Sequence, residues 1–186
     1  MFSNTDIILH TADISRNKNG FEKLKDKKFR NIFFDKLNIL MSELEYKVIA
    51  CVIQKNEHIK KYSLSAIDPY ILSLNILVEQ FYLDLKHNKT KGCIFAEKRD
   101  HILDNELQLS WLFLKIKGTK NIKGSDIDDC IEDLHLESKK LNTNAIQLAD
   151  LIVSPIGRYV LGKQIKKDFE IIKEKLLDDI IVLPQK

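Results

Sequence analysis

The sequence predicts an α/β domain, a mixed sheet with helices on its faces. Three observations carry this reading. Short apolar, β-branched runs alternate with longer stretches in which apolar residues recur every three or four positions. Between Tyr46 and Ala96 the order is strand, helix, strand, which in one sheet makes a right-handed crossover with parallel strands. The chain has 186 residues, 44% of them apolar and 31% charged, enough for one buried core and too apolar for a disordered polymer.

Taken in order, the first element is a strand over residues 6–10, carried by Ile7, Ile8 and Leu9. From Glu22 to Leu44, Phe29, Phe33, Leu37, Leu40, Met41 and Leu44 form one face of an amphipathic helix. From Tyr46 to Ile53 the run is apolar enough for a strand covered on both faces. Residues 55–62 are polar and read as a loop. Asp68-Pro69 opens a largely buried helix to about Lys86, Asp as N-cap and Pro at the first helical position. Residues 91–97 form the next strand, so Gln54 and Glu97 should be neighbours on one rim of the sheet. A helix from Asp100 to Ile116 carries Leu103, Leu107, Trp111 and Leu114 in a stripe and ends at Gly118. Residues 117–125 form a loop, and residues 126–138 a short helix leading into an edge strand. Asn144 caps a helix to about Gly162 that Pro155 kinks or breaks, and another amphipathic helix spans residues 163–177. The run from Ile180 to Leu183 is a strand or docks on a neighbour. Residues 1–164 make the domain, and residues 165–186 a C-terminal helix and tail.

Composition excludes several classes. A net charge of +3 is too small to imply nucleic-acid binding unless the cations cluster. No apolar run reaches the roughly 18 residues of a membrane span, so no membrane association is expected. The start, Met1 to Asp6, lacks the basic and apolar regions of a signal peptide. Cys51, Cys93 and Cys130 are odd in number and widely spaced, which fits neither a zinc site nor a disulfide framework and suits a reducing cytoplasm. The common nucleotide-binding and hydrolase motifs are absent.

Two carboxylates stand out. Glu97 closes an apolar strand, and ligands of open α/β sheets gather beyond the carboxyl ends of strands. Asp150 lies among Leu148, Ala149, Leu151 and Ile152, and a carboxylate in such surroundings needs a partner. One reading pairs Asp150 with Arg158 and leaves Glu97 to a surface cation. The other brings both acids to one site for Mg²⁺ or Mn²⁺, which oxygen ligands suit. Two such ions activate water and stabilise the leaving oxygen in phosphodiester cleavage. His10 and Asp13 belong either to a polar loop or to the same rim as Glu97. His58 and His101 read as exposed.

Several stretches, in order, resemble the DUF3800 family, bacterial and phage proteins with an RNase H-like fold. They are Ile7 to Ile14, Phe29-Arg30, Val48 to Ile53, Asp68-Pro69-Tyr70, Phe95 to Arg99, Gly118-Thr119, and Gln147-Leu148-Ala149-Asp150-Leu151-Ile152. The resemblance covers residues 7–162 and implies an RNase H-like mixed sheet. It implies a metal-dependent nuclease acting on nucleic-acid phosphodiesters, with Glu97 and Asp150 as catalytic and metal-binding acids. His10, Arg99, Lys139, Lys140 and Gln147 would then face the substrate. The family's Asp-Glu-Ser of the first strand is absent from these 186 residues. The expectation is therefore a chain truncated at its N-terminus, or a relative inactive through loss of the first acid. A sheet short of its leading strands has an open edge that a second copy or another partner would cover. The alternative is a non-catalytic interaction module of a phage-defence or mobile-element system.

Overall fold

The computed structural model describes residues 7–185. In chain order its elements are α1 (Thr11–Arg16), α2 (Lys27–Glu43), β1 (Cys51–Ile53), α3 (Lys55–Tyr62), α4 (Pro69–Asn88) and β2 (Gly92–Glu97). They continue with α5 (His101–Lys117), α6 (Gly124–Cys130), β3 (Ile131–Glu137), α7 (Asn144–Val160), α8 (Lys167–Lys175) and β4 (Ile181–Leu183). The protein is thus mixed α/β and mostly helical. The chain divides into two compact units, residues 1–48 with 142–177 and residues 49–141 with 178–186.

The first unit is built on α2, α7 and α8. Asp26 accepts from the Phe29 N–H at 2.7 Å and so starts α2. The stretch before it, Glu22–Lys25, is a separate 3-10 turn. The helix is therefore shorter than its apolar period suggests, because Asp26 offers the chain a capped start inside that period. Phe33 and Met41 are buried while Leu40 and Leu44 are exposed. The core here joins Ile14, Phe21, Leu24 and Phe33, with Ile7, Leu9 and Leu151 packed against them. The expected strand over residues 6–10 is not formed at residues 7–10, and Asp6, like the rest of Met1 to Asp6, lies outside the described residues. The backbone of Leu9 donates to the Gln147 side chain instead of to a neighbouring strand. Pro155 lies inside α7 and does not end it.

The second unit holds both sheets. Strand β1 pairs with β4, and β2 pairs with β3, each pair parallel. This corrects the expectation of one mixed sheet through residues 6–10, 46–53 and 91–97. The tail strand takes an edge of β1, and the strand following α6 takes an edge of β2, so β1 and β2 fall in separate sheets. Gln54 and Glu97 accordingly follow strands of different sheets. The strand expected from Tyr46 to Ile53 shrinks to Cys51–Ile53 and an isolated parallel bridge at Val48.

Asp68 caps α4 as expected, and Asp100 caps α5, each carboxylate accepting from two N–H groups of the first turn. Gly118 ends α5 at φ 79°, where a Cβ would fall 2.1 Å from the Ile122 carbonyl oxygen. The core joins Val78, Tyr82 and Leu85 of α4 to Leu107, Trp111 and Leu114 of α5 and to Ile127, Ile131 and Leu134. Residues 55–62, expected as a loop, form α3. His58 is 2% exposed rather than in solvent, and its Nε2 lies 2.8 Å from the Ile67 carbonyl oxygen. That carbonyl only accepts, so Nε2 carries the proton. The expected short helix and edge strand are α6 and β3, and the tail strand is β4.

Candidate functional site

In the first unit, α7 presents Gln147 and Asp150 on one face, three residues apart. The Asp150 carboxylate accepts the Thr11 N–H at 2.6 Å, and the Thr11 hydroxyl donates to the Asp150 carbonyl oxygen at 3.0 Å. Thr11 is the first residue of α1, whose leading N–H groups have no partner within the helix. Asp150 therefore supplies from a different helix the acceptor that a local cap would give. Gln147 works alongside it. Its Oε1 accepts from the Leu9 N–H at 2.7 Å, and its Nε2 donates to the Asn142 side-chain oxygen at 2.7 Å. His10 Nδ1 lies 2.9 Å from Asp13 Oδ2. The structure thus brings His10, Gln147 and Asp150 to one place, where the last two hold residues 9–11 against α7. Asp150 does not pair with Arg158, which instead reaches Asp168 at 2.5 Å and the Ser154 hydroxyl at 3.2 Å.

In the second unit, β2 and β3 run parallel and both end in a glutamate. Glu97 is in register with Glu137, and the Lys98 N–H donates to the Glu137 carbonyl oxygen at 2.8 Å. Residues in register on paired strands share a sheet face, so Glu97 and Glu137 leave the same face of the pair. Lys98-Arg99 follows one strand end and Lys139-Lys140 the other, after a single serine. Four cations thus flank two acids at the carboxyl ends of a parallel pair, the place where α/β sheets bind ligands. The Arg99 guanidinium lies 5.9 Å from the centre of the Tyr70 ring, and its backbone N–H is held by Asp104. The sequence reading singled out Glu97, Arg99, Lys139 and Lys140, and the register of β2 and β3 brings their strand ends together. It missed Glu137. Its signal was an acid closing the strand expected before Ser138, which counts only once that strand is known to neighbour Glu97.

Glu97 and Asp150 belong to different compact units of the chain. Among the described residues no three His, Cys, Asp or Glu side chains are gathered closely enough to hold a metal ion by themselves. Glu97 and Glu137 are the carboxylate residues that close β2 and β3. None of the three cysteines is in a disulfide. Among the described residues, no helix is long and apolar enough to cross a membrane. No family model, curated protein or solved structure matches the chain.

Proposed function

We propose that the protein is a metal-dependent, nuclease-like protein acting on nucleic-acid phosphodiesters, with its chemistry at the ends of β2 and β3. One observation supports this reading most: Glu97 and Glu137 in register, flanked by Lys98-Arg99 and Lys139-Lys140. Two glutamates in register offer oxygen donors from one face of the sheet, and Mg²⁺ or Mn²⁺ fits oxygen donors. Such an ion polarises a phosphoryl oxygen and lowers the pKa of bound water. The flanking cations draw the polyanion to the site, and their effect is weakened by salt. The resemblance to DUF3800 proteins, with their RNase H-like fold, agrees with this chemistry at Glu97. It assigns Asp150 to the metal as well. We assign Asp150 to structure, since its carboxylate already holds the start of α1.

The test uses a fluorescein-labelled single-stranded oligonucleotide, as RNA and as DNA, with Mn²⁺. Glu97→Gln and Glu137→Gln should abolish cleavage while leaving binding within a few-fold. Lys139→Gln with Lys140→Gln should weaken binding at low salt. Wild-type protein that neither binds nor cuts either strand removes the proposal. Binding without cleavage makes the protein an inactive relative.

A second reading, the interaction module, is favoured by a different feature. Among the described residues strand β2 is paired with β3 alone, and Cys93 to Ala96 line an apolar cleft of about 400 Å³ with Ile49, Tyr70, Leu74 and Phe81. Phe95 is half exposed there. An edge of this kind accepts an added strand, most simply from a second copy. Light scattering should then report a dimer that Phe95→Asp converts to a monomer. A monomeric wild type at high concentration contradicts it.

A further inference from the structure

The first unit holds a cavity of about 410 Å³ that neither reading uses, within the size range of small-molecule sites. Its apolar lining includes Phe34, Leu37 and Met41 of α2 and Leu151 and Pro155 of α7. Its charged lining is Arg30, Arg158, Lys166, Lys167 and Asp168, four cations against one carboxylate. Asp168 is spent on Arg158 and on the N–H of Phe169. Among the described residues no carboxylate is placed against Arg30, Lys166 or Lys167. Ser15, Ser154, Asn31 and Asn38 add hydroxyl and amide groups to the wall.

We infer that this cavity binds a small phosphomonoester with a flat or apolar body, of the nucleoside monophosphate class. Charge decides the head group. The lining carries three positive charges in excess, and a phosphomonoester brings nearly two negative ones at neutral pH where a carboxylate brings one. Arginine also matches phosphate oxygens through two parallel N–H groups. Arg158 is already fixed in direction by Ser154 and Asp168, so it loses little freedom on binding. The apolar lining decides the body, since inorganic phosphate alone would leave that surface wet. The motif face of α7 contributes indirectly. Thr11 lines the cavity, and Asp150 holds its backbone in place.

The inference stands apart from the strand-end reading, because it uses residues of the other unit. Isothermal titration with AMP, adenosine and inorganic phosphate tests it. AMP should bind at one site per chain with a Kd below about 1 mM, at least tenfold more tightly than either comparator. Arg30→Gln and Lys166→Gln, both outside the Arg158–Asp168 pair and checked for folding by circular dichroism, should each weaken AMP at least fivefold. Lys60→Gln, an exposed lysine paired with Glu57, should leave it unchanged. Absence of AMP binding up to 10 mM, adenosine or phosphate binding as tightly as AMP, or AMP binding insensitive to Arg30→Gln and Lys166→Gln would each overturn the inference.

Discussion

Asp150 shows how one carboxylate in an apolar stretch is reconciled with its surroundings. Its partner is the Thr11 N–H, a group almost 140 positions away in sequence. Replacing it with alanine leaves that N–H without an acceptor, at a cost of about 1–3 kcal/mol. Asparagine keeps an acceptor oxygen and loses only the charge assistance, so urea titration should rank Asp150→Ala below Asp150→Asn below wild type. Equal midpoints for alanine and wild type would mean that the bond does not hold α1. A second residue carries a pH signature. Asp133 accepts the Leu134 N–H at 2.7 Å, and this bond holds its carboxyl below the usual range. Desolvation opposes the shift, and the Trp111 indole N–H, at 3.3 Å, adds to it. A carboxyl depressed in the folded state stabilises the fold above its unfolded pKa and loses that contribution as pH falls through the folded one. Wild type should therefore lose more stability than Asp133→Asn between neutral and acidic pH. Parallel curves for the two would contradict this.

At the scale of elements, caps and breakers were readable from sequence and pairing was not. Asp68-Pro69 and Asp100 begin α4 and α5 because the signal is local, a carboxylate two and three residues before the N–H groups it accepts. Asp68→Ala and Asp100→Ala should each lower stability by about 1 kcal/mol in thermal or denaturant unfolding. Gly118→Ala should cost more than either, since it meets both a positive φ and the Ile122 carbonyl oxygen. A neutral Gly118→Ala would refute the close approach at that turn. The misread elements have physical reasons. Residues 55–62 are polar, yet buried His58 anchors one short helix because it finds the Ile67 carbonyl and a tilted Tyr62 ring. The run from Tyr46 to Ile53 looked like one long strand, but hydrophobicity does not state a partner. Its ladder is limited to the three residues opposite β4 and the bridge at Val48.

For the whole molecule, the same limit governs the site. Glu97, Arg99, Lys139 and Lys140 could each be marked from sequence as candidates, because strand ends and charge clusters are visible one segment at a time. Glu137 could not, because its meaning depends on β3 lying parallel to β2 in a particular register. The Gln147–Asp150 face was legible as special, while its partners, the Leu9 and Thr11 N–H groups, were not. An acid among apolar residues announces that it has a partner without saying whether that partner is a metal or a backbone N–H. On the proposed reading, metal chemistry belongs to the strand ends of one unit, and structural hydrogen bonding to α7 of the other. The most direct measurement is a Mn²⁺ titration followed by electron paramagnetic resonance on wild type, Glu97→Gln, Glu137→Gln and Asp150→Asn. The account predicts one bound Mn²⁺ in wild type and Asp150→Asn, weakened at least tenfold in both glutamate variants. Binding lost in Asp150→Asn and kept in the glutamate variants, or no binding to wild type, would contradict it.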